Sequence, residues 1–147
     1  MINETSNFKQ SEYIAYKDGY KYQTDEDTYY KLSFKSVSEK VSTRFITLYP
    51  DGWLHIKAGY CWDGASGPTV DSKNSQRAGL IHDAFYQLMR YELDQRMWRD
   101  EMDEEFEDIL KKDGMGWFRR NLWEKSVAWF AGFASNPRNR KKVIFAP

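Results

Sequence analysis

His82 and Asp83 stand side by side, Tyr86 follows four residues after the histidine, and Asp103 lies further along the same charged, aromatic stretch. Helical spacing puts His82 and Tyr86 on neighbouring faces of one helix. A second helix packed antiparallel would bring Asp103 to His82. Asp63, in the glycine-containing turn before the helices, could reach the same place. Together these supply one imidazole, three carboxylates and a phenol. A histidine whose other nitrogen is oriented by a carboxylate can take a proton from water. Neighbouring carboxylates and loop carbonyls can hold a hard cation such as Ca2+, which steadies developing negative charge. The same residues also have a plain reading. Asp103 falls in the acidic run Asp100 to Asp108, which suits a solvated helix face. Arg99 precedes Asp103 by four residues and suits a surface ion pair. Asp63 before Gly64 suits a side-chain-capped turn.

The elements that must position these groups follow from hydropathy patterning. Residues 8–60 read as mainly β. Tyr13 to Tyr22 is broken by Asp18-Gly19, a tight-turn pair. Tyr30, Leu32, Phe34 and Ser36 alternate with Lys31, Ser33 and Lys35. Thr43 to Tyr49, the turn Pro50-Asp51-Gly52 and Trp53 to Tyr60 predict a hairpin of two strands of about seven residues. The result expected is a small antiparallel sheet with one solvated face. Residues 61–74 read as a structured loop, since Gly64, Gly67 and Pro68 interrupt any strand.

Residues 75–134 read as helical. The first helix starts near Ser75, with Ala78, Ile81, Phe85, Leu88 and Met89 on one face. The second runs from about Arg96 or Met97 to Lys111 and carries Met102, Phe106, Ile109 and Leu110. The third runs from about Trp117 to Phe133, with Leu122, Val127, Phe130 and Ala131 inward. Residues 135–147 form a basic tail, Arg138 to Lys142, ending in a short apolar run that suits either a last strand pinned to the sheet or a flexible end. The reading is one domain, 1–147, of the α+β class: a small N-terminal antiparallel sheet followed by about three packed helices.

Composition narrows the function classes. The chain has 147 residues, a formal net charge of +0 and one cysteine. A disulfide framework and a multi-cysteine zinc cluster are excluded, and a globally basic nucleic-acid binder is disfavoured. No apolar run is long enough for a transmembrane helix, and no secretory signal is expected at the N-terminus. Ser66 lacks a Gly-x-Ser-x-Gly setting. Cys61 suits packing better than nucleophilic chemistry, and nothing places His55, on a predicted strand, beside it. The basic tail suits contact with an anionic surface as well as simple solvation.

The stretch Trp62 to Pro68, then His82-Asp83-Ala84-Phe85-Tyr86, then Arg99 with Asp103 and Phe106, resembles domain-of-unknown-function family 1353. Arg120, Trp123, Val127 and Gly132 fit its looser closing helix. The resemblance implies a phage or prophage protein of unsettled activity, placed in the host cytoplasm or associated with the virion. His-Asp, a tyrosine three residues after that Asp, and a helical Asp followed by Phe are similar to the core of phospholipases of the A2 type. That likeness implies His82 as general base, Asp103 as its orienting partner, Tyr86 as support for Asp103, and Asp83 as a Ca2+ ligand, with Asp63 compensating where the loop Cys61 to Pro68 stands in place of the glycine-rich calcium loop of those enzymes. The expected function is therefore Ca2+-assisted ester hydrolysis. The alternative is a noncatalytic virion, assembly or host-interaction protein with a structural His-Asp network, whose third helix offers Trp117, Phe118, Trp123, Trp129 and Phe130 to a partner.

Overall fold

The computed structural model describes residues 4–14, 16–17, 22–62, 73–91, 93, 98–117 and 120–121. Seven short strands precede two helices: β1 (Tyr16–Lys17), β2 (Tyr22–Thr24), β3 (Thr28–Lys31), β4 (Val41–Ser42), β5 (Ile46–Leu48), β6 (Trp53–Ile56), β7 (Cys61–Trp62), α1 (Lys73–Tyr91) and α2 (Arg99–Lys112).

The strands form two antiparallel sheets, one ordered β1-β2-β7 and one ordered β3-β6-β5-β4. The single small sheet expected from the sequence is thus corrected to two. The cause lies between Lys57 and Tyr60. Gly59 has φ +91°, a conformation that favours glycine, and bends the run that reads as one strand. Buried Thr24 seals the bend. Its N–H donates to Tyr60 O at 2.9 Å, its carbonyl accepts from Gly59 N–H at 2.7 Å, and its hydroxyl donates to Lys57 O at 2.9 Å. Beyond the bend the chain pairs with β2 rather than β3. The hairpin at Pro50-Asp51-Gly52 is present, but its strands have three and four residues rather than about seven. Gly52 has φ +90°, and a Cβ there would stand 3.1 Å from the Phe34 carbonyl oxygen.

In the four-stranded sheet, Tyr30 faces Leu54, Ile46 faces Ile56 and Leu48 faces Leu54. The two-residue period puts these side chains on the inner face, all buried. Tyr29, Lys31, Trp53 and His55 take the outer face. That face is not simply solvated. The N-terminal segment crosses it, and Phe8 packs against Tyr29, Tyr49, Trp53 and His55 with ring centroids 4.8–6.2 Å apart.

α1 is the central element. Ala78, Leu80, Ile81, Ala84, Phe85, Tyr86, Leu88 and Met89 are buried, as are Ser75, Gln76 and His82. Burial on nearly every side exceeds the single apolar stripe of a surface helix. α2 does show one stripe: Met102, Glu105, Phe106, Ile109 and Leu110. Asp100 and Glu101 in its first turn and Lys111 and Lys112 in its last complement the helix dipole. Arg77 of α1 grips Asp113, just past α2, through Nε at 3.1 Å and Nη2 at 2.6 Å. One hydrophobic core joins the inner sheet face to both helices.

The class is α+β, but the expectation of about three helices is also corrected: two are complete among the described residues. The predicted third helix lies outside them, apart from Trp117, Arg120 and Asn121. The predicted loop 61–74 opens instead as β7, its residues 63–72 lie outside the described set, and the basic tail does too.

Candidate functional site

α1 and α2 bring His82, Tyr86 and Asp103 together. His82 Nε2 lies 3.1 Å from Asp103 Oδ1, and the Tyr86 hydroxyl donates to that same oxygen at 2.6 Å. Helical spacing stacks Tyr86 on His82, with centroids 4.0 Å apart and planes tilted by 27°. Phe106, one turn beyond Asp103, meets the imidazole edge-on at 5.1 Å. Asp83 Oδ1 stands 3.8 Å from His82 Nδ1, too far for a hydrogen bond but close enough for charge attraction. Asp63 lies outside the described residues.

His82 is 8% exposed, so solvent barely reaches it. Burial works to lower its pKa, because the interior disfavours an imidazolium. The Asp103 hydrogen bond and the charges of Asp83 and Asp103 outweigh that effect and raise it. Burial, then the Asp103 hydrogen bond, push the Tyr86 hydroxyl far up, with Arg99 opposing. Arg99 therefore acts on the Tyr86–Asp103 pair rather than standing apart as a surface charge.

This arrangement corrects the expectation of Ca2+-assisted hydrolysis. A general base needs one nitrogen turned toward water or substrate. Here Nε2 is held by Asp103 and Nδ1 faces Asp83. The two carboxylates sit at opposite nitrogens of the ring, and Asp103 Oδ1 already accepts from Tyr86. Such an array does not suit a hard cation that requires several converging oxygens. Among the described residues, no group of three or more His, Cys, Asp or Glu side chains is arranged to hold a metal ion. The geometry fits a fixed polar clamp between helices.

Two polar groups escaped the sequence reading. Glu105 belongs to the acidic run that reads as solvated, yet it is 1% exposed. It accepts from the Tyr30 hydroxyl at 2.7 Å, from Ser33 N–H at 2.8 Å and from the Ser33 hydroxyl, tying α2 to the sheet. Burial, then Glu105, drive the Tyr30 pKa far up. The signal was present: position 105 falls within the 102, 106, 109, 110 stripe. The second is Asp27, which accepts from Ala58 N–H at 2.9 Å and pairs with His55 Nε2 at 2.8 Å. Burial opposes its ionisation, but those two bonds and nearby positive charge prevail and lower its pKa. His55 also stacks on Tyr29 at 4.5 Å. No local pattern announces that contact.

Fold and site together define an α+β protein whose helices are joined by a buried histidine–carboxylate–phenol network. No family model, curated protein or solved structure matches the chain. Among the described residues, no helix is long and apolar enough to cross a membrane.

Proposed function

We propose that this chain is a noncatalytic virion, assembly or host-interaction protein, of the phage or prophage kind its sequence motifs imply. In this reading His82, Asp103 and Tyr86 set the angle of α1 against α2. The observation that carries it is the burial of an imidazole with a carboxylate at each ring nitrogen. Trp117, 68% exposed where the predicted third helix begins, supports a role in association. The other aromatics of that helix lie outside the described residues.

Paired variants test the reading. His82→Gln and Asp103→Asn are each expected to lower unfolding free energy by about 2 kcal/mol, because each leaves a buried polar partner unsatisfied. The His82 contribution has a defined pH course. Its raised folded pKa makes the contribution complete below the unfolded value, about 6.5, and removes it as pH rises through the folded value. Urea titrations of wild type and His82→Gln should therefore differ most at low pH and converge as the buried imidazolium loses its proton. The wild type should show no turnover on phospholipids, short esters or cell-wall fragments. Measurable turnover that vanishes in His82→Gln, with stability retained, would overturn the proposal.

A further inference from the structure

We propose that residues 4–12 are an edge guard: they end the four-stranded sheet at β3, so that a second copy of this chain cannot add to it. The guard is independent of the clamp at His82.

β3 is an outermost strand, paired on one side with β6, and an open edge of this kind is a template for further pairing. Alternate residues of a strand direct their backbone groups to opposite sides, and those of Tyr29 and Lys31 point away from β6. The N-terminal segment meets three of them. Ser11 N–H donates to Tyr29 O at 2.8 Å, the Ser11 hydroxyl accepts from Tyr29 N–H at 2.9 Å, and the Gln10 side-chain oxygen accepts from Lys31 N–H at 3.0 Å. An added strand in this place would satisfy β3 and present a new row of N–H and C=O groups on its far side. Side-chain oxygens satisfy the two amides and carry no such row. The ladder therefore stops here.

The segment is fastened to three elements. Residues 4–7 form a turn, with Phe8 N–H donating to Thr5 O at 3.0 Å, and the hydroxyl of buried Thr5 bonds to the Asp51 carboxylate in the turn between β5 and β6. Phe8 packs among Tyr29, Tyr49, Trp53 and His55 on the sheet face. Arg77 Nη1, from α1, donates to the Ser11 and Glu12 carbonyls at 3.2 and 3.3 Å. The guard is thus part of the fold and not a removable lid. The opposite edge is managed differently. β4 is only two residues long and follows Lys40, whereas β3 has four residues and is the edge that carries the cover.

Without the guard, β3 matches a second bare β3. A strand can pair antiparallel with its own copy about a two-fold axis, each copy offering the outward donors and acceptors of Tyr29 and Lys31.

The test compares the full-length wild type with Phe8→Ala/Gln10→Ala/Ser11→Ala, which removes the ring anchor and both side-chain acceptors. Sedimentation velocity over a concentration series is read together with deuterium exchange at the Tyr29 and Lys31 amides. Wild type should sediment as one species at every concentration. The triple variant should dimerise as concentration rises. Its two amides should exchange about tenfold faster than in wild type when dilute, and regain protection in the dimer. Gln10→Ala/Ser11→Ala keeps Phe8 in place; it should shift the same way by a smaller amount, and it carries the test if the triple variant unfolds. A variant that stays monomeric with those amides open, or that associates without protecting them, would overturn the inference. So would a wild type that dimerises through the same amides.

Discussion

Glu105→Ala should lower the unfolding free energy by about 4 kcal/mol, among the largest single losses outside the apolar core. The side chain accepts three hydrogen bonds, and their donors, Tyr30 and Ser33, lie on the sheet side of the molecule. Truncation leaves the buried Tyr30 hydroxyl without its acceptor, and the Ser33 N–H with it. Glu105→Gln separates the contributions. Its amide oxygen can keep one donor, while its NH2 turns a second donor toward the remaining N–H or O–H groups. A loss of about 2 kcal/mol is expected. Urea unfolding followed by circular dichroism measures both. Combining Glu105→Ala with Tyr30→Phe should cost less than the sum of the two, since the second change removes the stranded hydroxyl. Strict additivity, or a loss below about 1 kcal/mol for Glu105→Ala, would show that the carboxylate does not join the layers.

Arg77→Ala should cost about 3 kcal/mol. The guanidinium spans both oxygens of Asp113 and reaches two backbone carbonyls of the N-terminal segment, so one side chain holds α1, the end of α2 and the strand-edge cover. Asp113 is the C-cap of α2, where the helix dipole disfavours a negative charge. Without Arg77 that carboxylate stays largely enclosed beside the last carbonyls. Arg77→Lys should recover less than half, because a single ammonium cannot make the forked contact. Asp113→Asn in the Arg77→Ala background should restore part of the loss by removing a negative charge from the helix C-terminus. Full recovery by lysine would mean that charge alone, and not the fork, maintains the junction.

The helical half was legible because its chemistry coincides with periodicity. His82 and Tyr86 share a face at a spacing of four, and short-range antiparallel packing of the helices carries Asp103 to them. The buried stripe of α2 was also visible in Met102, Phe106, Ile109 and Leu110. Glu105 was misread because acidic neighbours on the exposed side obscured its place within that stripe. The sheet half was less legible. Trp53 to Tyr60 read as one strand, and only the backbone angle at Gly59, with Thr24 locking it from another strand, divides the run between sheets. Phe8 lies far in sequence from most of its ring partners, and the contact between His55 and Asp27 joins β6 to the residue just before β3. Such pairings depend on register, which hydropathy does not specify when strands are only three or four residues long. The resemblance to a calcium-dependent hydrolase was drawn from residue order, whereas the chemistry depends on which ring nitrogen each carboxylate faces.

The enclosure of α1 also sets how the molecule breathes. A helix covered on almost every side has no route for water to its amides short of separating the sheet from α2. Its central N–H groups should therefore exchange with deuterium only through complete unfolding, and their protection should equal the global free energy. The cover over β3 belongs to the opposite regime. Tyr29 and Lys31 donate outward to Ser11 and Gln10 side chains, so their amides become accessible when those two side chains release them, with the core undisturbed. One chain thus carries two clocks, a slow one in its central helix and a fast one at its sheet edge.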